Sequence, residues 1–170
     1  MSGEREMLDL LHTRYSMHVG NCPRFVMAEH VRNGAGFDAN RSLDAMVLDL
    51  WPSAGLAVHG FEVKCSRADW LRELKDPTKA GAFLPHLDYM WLVVSDKAIV
   101  KPGELPEHWG LLAATRGGLV AGPPARRLRP APTQPLHYHN DAPPMPRTLM
   151  ASMARSIART ARRSGRVSDE

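Results

Sequence analysis

Apolar side chains recur at helical spacing near both ends of the chain and in short, strand-length runs between them. A first helix is predicted over residues 4–17 and a last one over residues 147–163. The side chains that carry these two periods are Met7, Leu8, Leu11 and Tyr15 in the first segment and Met150, Met153 and Ile157 in the last.

Five runs between the helices have the length and composition of strands. The first extends from Phe25 to Val31, and the last two are YMWLVV at 89–94 and GLLAAT at 110–115. The runs SLDAMVLDLW at 42–51 and GLAVHGFEVKC at 55–65 are separated by a Pro-Ser-Ala turn, which predicts an antiparallel hairpin.

A further helix is predicted directly after the hairpin. Ser66 and Asp69 have the spacing of a capping box, so we expect a helix from there to about Lys75, and Pro77 suits the start of a second helical segment. The resulting order of helix, three strands, helices and two strands is typical of an α/β fold, in which helices flank one mixed sheet.

The hairpin turn sets which residues face each other. If the turn is centred on Ser53, Asp44 lies opposite Glu62, and Lys64 shares the face of Glu62 because strand side chains alternate. Alternation also assigns Leu43 to the other face, together with Ala45. Both faces are largely apolar, as in a sheet that is covered on both sides.

Two carboxylates and one ammonium group are therefore predicted at one end of an apolar surface. Lys64 offsets only one of the two negative charges, and buried charges require a counterion. A hard divalent cation such as Mg²⁺ or Mn²⁺ would supply it. The alternative is simpler: Glu62 and Lys64 form an ordinary ion pair, and Asp44 only ends a strand.

The same residues carry a resemblance to a known family. Asp44, followed by Glu62-Val63-Lys64 and then a helix, resembles the PD-(D/E)XK nuclease superfamily, although Leu43 stands where the superfamily's name has Pro. Within that superfamily, FEVKCSRADWLRELKDPTKA is similar to the MmcB-like DNA repair group, and the resemblance covers about residues 24–115.

The resemblance implies a restriction-endonuclease-like mixed sheet flanked by helices. It implies a Mg²⁺ or Mn²⁺ site formed by Asp44, Glu62 and the carbonyl of Val63, with Lys64 as the catalytic lysine. Many superfamily members add an acidic ligand from an earlier element, for which Glu29 is our candidate and Glu6 on the first helix competes with it.

Of four further polar residues, three have two readings each. Ser66 and Asp69 match the MmcB-like pattern and would orient the site, although capping a helix also explains both. Lys79 would either reach a phosphate or be solvated. Arg41, three residues before Asp44, also matches the pattern and is a candidate DNA-binding residue.

The positive charge of the chain is concentrated after residue 125. Residues 1–125 hold 13 Lys and Arg against 15 Asp and Glu, whereas residues 126–170 hold 9 against 3. We therefore predict a nuclease-like domain at 1–116, a Pro/Gly/Arg-rich linker at 117–146 and a basic helix and tail at 147–170. The tail either contacts DNA, packs its Met and Ile side on the domain, touches an acidic membrane surface or is a solvated appendage. Its candidate DNA contacts are Arg155, Arg159, Arg162 and Arg163.

Several classes of protein are disfavoured. No apolar run is long enough for a transmembrane helix, the first residues lack the apolar stretch of a signal peptide, and Cys22 and Cys65 are too few for a disulfide framework, so we expect a cytoplasmic protein with reduced thiols and no membrane partner.

The functional hypothesis is a Mg²⁺-dependent deoxyribonuclease that acts in DNA repair or processing. The alternatives are a non-catalytic DNA-binding accessory protein that retains the fold and an RNA-directed nuclease. A homodimer would suit double-strand cleavage, but the sequence identifies no interface.

Overall fold

Helices and strands follow each other along the chain largely as the hydrophobic pattern predicts. The computed structural model describes residues 3–34, 40–76, 78–128 and 145–167. The helices are α1 (Glu4–Arg14), α2 (Arg67–Lys75), α3 (Thr78–Gly81) and α4 (Arg147–Val167). The strands are β1 (His18–Val19), β2 (Cys22–Pro23), β3 (Phe25–Arg32), β4 (Ser42–Asp49), β5 (Val58–Lys64), β6 (Tyr89–Val94), β7 (Gly110–Thr115) and β8 (Gly118–Ala121).

One mixed sheet contains six of these strands in the order β3-β4-β5-β6-β7-β8. Neighbours from β3 to β5 are antiparallel, β5 to β7 are parallel, and β8 returns antiparallel to β7. The parallel step from β5 to β6 needs a crossover connection, and α2 and α3 supply it. The predicted α/β class with a mixed sheet flanked by helices is confirmed.

Apolar side chains cover both faces of the sheet. On one face, α1 packs its buried Met7, Leu8 and Leu11 against a core that includes Phe61 and Val63. On the other face, two separate clusters form, one under α4 and one under α2. The cluster under α4 includes Ala28, Val31, Leu43, Met46, Leu149 and Met153, and the cluster under α2 includes Trp70, Leu92, Val94 and Leu111.

The hairpin strands are shorter than predicted, at Ser42–Asp49 and Val58–Lys64, and the last helix extends to Val167 rather than to residue 163. Helix α1 ends at Arg14 rather than at residue 17, because the backbone leaves the helical conformation at Tyr15, with φ −106° and ψ 28°. The domain boundary predicted at 116 is too early, because β8 lies within the stretch interpreted as a linker. A two-residue Arg-Gly turn joins β7 to β8 and pairs Thr115 with Gly118. Because the composition of this segment is typical of turns, β8 was not predicted as a strand.

Helix α4 belongs to the fold rather than to a separate tail. It packs along the edge strand β3, with Leu149 and Met153 in the core, whereas Met150 is exposed instead of facing the sheet. The hydroxyl of Ser152 accepts a hydrogen bond from the backbone N–H of Arg32 at 3.1 Å, and Ser156 donates one to the carbonyl of Glu29. These serines satisfy backbone groups on the open edge of the sheet, which would otherwise be free to pair with another strand.

Within the described ranges, no helix combines the length and the apolar character needed to cross a membrane.

Candidate metal centre

The β4–β5 hairpin has the predicted register. Ala45 pairs with Phe61 and Met46 with Gly60, so the next positions along the two strands are those of Asp44 and Glu62. The ladder stops just before them. In its place, the Asp44 carboxylate accepts a hydrogen bond from the backbone N–H of Val63 at 2.7 Å. Asp44 therefore lies beside the Glu62-Val63-Lys64 segment, as the sequence predicts.

An irregularity in the neighbouring strand β3 coincides with Asp44. The β3–β4 register pairs Glu29 with Ala45 and Val31 with Leu43, and it skips the positions between them. There, His30 has a left-handed backbone with φ 50°, which is uncommon for a residue other than glycine.

The irregularity changes the direction of side chains on both strands. Leu43 and Met46 are three residues apart, yet both pack in the cluster under α4, and so do Ala28 and Val31. In a regular strand, residues three apart face opposite sides. The expectation that Leu43 shares a face with Ala45 is therefore wrong.

Lys64 is surrounded by three carboxylates. Its ammonium nitrogen lies 2.9 Å from Glu62 Oε2, 3.1 Å from Glu73 Oε2 and 3.9 Å from Asp44 Oδ2. None of these four side chains is more than 17% exposed, and Glu62 is fully buried. Burial alone would lower the pKa of Lys64, but the surrounding Glu62, Asp44 and Glu73 carboxylates raise it above its ordinary value. Lys64 is thus an ammonium group that three carboxylates hold in a largely buried position.

A cleft of about 570 Å³ opens onto Asp44, Lys64 and Glu73 of this group, whereas Glu62 is not among the described residues that line it. Of the described lining residues, five are acidic and two are basic, so this part of the cleft is negatively charged. The acidic residues are Glu4, Asp44, Asp69, Glu73 and Asp76, and the basic ones are Lys64 and Arg72; the described lining also includes Val63 and Cys65. A nucleic acid backbone would be repelled from this cleft unless a cation offset its charge.

Helix α2 brings three acidic residues to the cleft. Asp69, Glu73 and Asp76 follow one another at intervals of four and three residues, which is the spacing of one helix face. Glu73 is not among the site residues predicted from the sequence. The spacing of these three acidic residues is the sequence signal that could have identified it, but solvated helix faces often have the same pattern.

The predicted capping box at the start of α2 is confirmed. The Ser66 hydroxyl accepts the N–H of Asp69 at 3.1 Å and donates to the Asp69 carboxylate at 2.7 Å. Because Asp69 also lines the cleft, the two residues hold the helix end beside the site. Arg41 lies near by and pairs with Asp76 at 3.1 Å. The side chain of Lys79 lies outside the described part of the chain.

The structure does not bring Glu29 into this group. Its carboxylate accepts hydrogen bonds from Arg5 at 2.7 and 2.8 Å, and it contacts His12 at 2.8 Å and Arg163 at 3.0 Å. Burial would raise the pKa of Glu29, but the hydrogen bonds from Arg5 and His12 outweigh it and lower the pKa to about 2. Glu29 therefore links α1, β3 and α4 through ion pairs. The competing candidate Glu6 is exposed on α1.

Two residues that the sequence analysis did not select approach Asp44. Glu4, at the start of α1, and His30 each offer a ligand atom, and these atoms and an Asp44 oxygen all lie within 4.8 Å of one another. The irregular backbone at His30 brings the imidazole to this position. The sequence carries no helical or strand periodicity that could have indicated it.

The four candidate DNA-binding arginines of α4 do not all have the same surroundings. Arg155, Arg159 and Arg162 are exposed on the helix, whereas Arg163 is engaged with Glu29. The apolar side of α4 packs on the domain. The exposed arginines therefore form the basic surface of this helix.

Comparisons with known proteins bear on the fold alone. No protein-family model matches the chain, and no curated protein matches it. The chain is similar to the solved structure of SPO1766, a protein of unknown function from Silicibacter pomeroyi, with 21% identity and a TM-score of 0.50. The match covers 86% of this chain and 81% of that one. At this level of identity, the likeness concerns chain topology and carries no information on activity.

Proposed function

We propose that this chain is a Mg²⁺- or Mn²⁺-dependent nuclease that hydrolyses phosphodiester bonds in DNA. One observation carries the proposal: three carboxylates surround one ammonium group at the side of a cleft. Carboxylate oxygens are the ligands that Mg²⁺ and Mn²⁺ prefer. Asp44, one of the three carboxylates, also lines the cleft, where a cation could reach it.

The donor set fits a hard cation. Asp44 and Glu62 would bind it through carboxylate oxygens, and the resemblance to PD-(D/E)XK nucleases adds the carbonyl of Val63. Glu4 and His30 lie close to Asp44 and form with it a second possible ligand group, which does not include Glu62. A divalent ion held there supplies Lewis acidity at a phosphoryl oxygen and lowers the pKa of a coordinated water.

Lys64 is the residue of this chain best placed to assist the reaction. Its ammonium group can donate a hydrogen bond to the attacking water or to a phosphoryl oxygen that gains negative charge. The carboxylates around it fix its position beside the ligands. The exposed arginines of α4 would add phosphate contacts that do not depend on sequence and that weaken with salt.

A cleavage assay tests the proposal. Purified protein is incubated with single-stranded, duplex and branched DNA in Mg²⁺ or Mn²⁺, with a chelator as the blank. We expect cleavage that Lys64→Ala lowers by about a thousandfold, the effect of removing a group that stabilises developing charge. The matched control is Lys97→Ala, because Lys97 is an exposed lysine outside the cleft. Equal cleavage by the wild type and Lys64→Ala would refute the assignment.

A non-catalytic DNA-binding protein is the second candidate, and the exposed arginines of α4 favour it because their phosphate contacts need no cation. Salt-sensitive DNA binding without cleavage of any substrate would support it. An RNA substrate in the same assay tests the third candidate, an RNA-directed nuclease. Paired cuts on opposite strands would indicate a homodimer.

A further inference from the structure

We infer that Glu73 is a positioning residue, which holds the Lys64 ammonium group in place when Asp44 and Glu62 bind a divalent cation. The inference rests on the proposed function and assigns a role to a residue of α2 that the DNA-cleaving motif does not include. It begins from the contact between Glu73 and Lys64 at 3.1 Å.

Two of the three carboxylates around Lys64 have competing roles. Glu62 and Asp44 neutralise the ammonium group, and they are also the proposed cation ligands. A bound cation would draw their charge toward itself and would repel the nearby ammonium, since like charges at short range in a poorly hydrated site interact strongly. Without another partner, Lys64 would be driven out of the site.

Glu73 supplies that partner from a different element. Its side chain is largely buried, and it approaches Lys64 from α2 rather than from the hairpin. When the cation takes up the charge of Asp44 and Glu62, the Glu73 carboxylate still lies 3.1 Å from the ammonium group and can hold it.

The helix that carries Glu73 is held firmly on the sheet. Ser66 caps its first turn, Trp70 is fully buried beneath it, and Arg67 pairs with Glu104. A carboxylate on such an element keeps its position when the ligands rearrange. This is the arrangement expected of a supporting group around a reactive site.

Chemical labelling of Lys64 tests the role without relying on turnover. An amine-acylating reagent is applied to the full chain with and without Mn²⁺, and the extent of modification at Lys64 is read by mass spectrometry. In the wild type, we expect Mn²⁺ to leave Lys64 protected. In Glu73→Gln, which keeps an oxygen acceptor but loses the charge, we expect Mn²⁺ to make Lys64 several times more reactive.

Two further variants control for structure. Glu107→Gln removes an exposed carboxylate that is not among the described cleft residues and does not pair with α2, so it should behave as the wild type. Glu73→Asp keeps the charge and should restore most of the protection. If Glu73→Gln does not fold, Glu73→Asp serves as the test. Because its side chain is shorter, Lys64 should be labelled more than in the wild type when Mn²⁺ is present, and to the same extent when Mn²⁺ is absent.

Kinetics add a second readout. We expect Glu73→Gln to lower kcat by about 100-fold, as for a misplaced catalytic group, with KM and the calorimetric Kd for Mn²⁺ nearly unchanged. Mn²⁺ binding with equal Lys64 labelling in the wild type, Glu73→Gln and Glu73→Asp would overturn this inference alone. Absence of any Mn²⁺ binding would overturn the proposed function as well.

Discussion

Two ion clusters in this protein have opposite compositions. Around Lys64, one ammonium group faces three carboxylates. Around Glu29, one carboxylate faces two guanidinium groups and an imidazole. The first cluster joins β4, β5 and α2, and the second joins β3, α1 and α4, yet we assign chemistry to only one of them.

Hydration of the charged groups separates the two clusters. The three basic side chains around Glu29 are between 33% and 61% exposed, so water solvates them. The carboxylates around Lys64 are at most 17% exposed. Water solvates these carboxylates poorly, so they depend on cationic partners such as Lys64 or a bound metal ion. Burial of the carboxylates, rather than the number of charges, therefore distinguishes the proposed binding site from a structural clamp.

The largest effect expected from this contrast concerns stability at Glu29. Glu29→Gln removes the central charge of the clamp, and we expect it to lower the free energy of unfolding by about 3 kcal/mol, near the lower end for a broken buried ion pair. Denaturant unfolding measures it. Glu107→Gln, at an exposed carboxylate with only surface partners, should change stability by less than about 0.5 kcal/mol. If Glu29→Gln also lowers the free energy of unfolding by less than about 0.5 kcal/mol, Glu29 does not hold the three elements together.

A divalent cation should stabilise the protein through the other cluster only. At a Mn²⁺ concentration of 100 times Kd, we expect a gain of about 2.7 kcal/mol, read as a rise in Tm that a chelator reverses. Asp44→Asn keeps an acceptor for the Val63 N–H but loses a ligand charge, and should abolish most of the rise. Glu29→Gln should keep it. A full response in Asp44→Asn would place the cation elsewhere.

The smallest effect is a pH dependence that belongs to Glu29. Because folding lowers its pKa to about 2 from an ordinary 4.5, its stabilisation is complete above pH 4.5 and is lost as the pH falls toward 2. The stability gap between the wild type and Glu29→Gln should therefore narrow by about 1.4 kcal/mol from pH 7 to pH 3.5. Unfolding curves at both pH values measure it, and a constant gap would show that the charge of Glu29 is not responsible.

Local sequence signals predicted the parts of the molecule that obey regular geometry. The Pro-Ser-Ala turn fixed the hairpin register, and with it the approach of Asp44 to Glu62-Val63-Lys64. Strands β6 and β7 were predicted at their observed ends, since apolar runs there stop at turn residues.

Features that depend on distant packing were beyond such signals. Regular alternation predicted that Leu43 shares the face of Ala45. The left-handed backbone at His30 interrupts that alternation, and Leu43 packs on the opposite face. Glu29 was selected because it is acidic and lies in an earlier strand, but its partners come from α1 and α4, and no local pattern encodes those contacts. Glu73 reaches Lys64 only because α2 docks across β5.

The left-handed turn of the chain at His30 has a consequence for protein engineering. The geometry around Asp44 therefore depends on the backbone conformation of the neighbouring strand as well as on the identity of the side chains. Grafting the aspartate and the Glu-Val-Lys tripeptide onto an ordinary hairpin of the same register would copy the chemical groups but not their convergence. A functional graft would need all three strands β3, β4 and β5, including β3 with its left-handed residue His30.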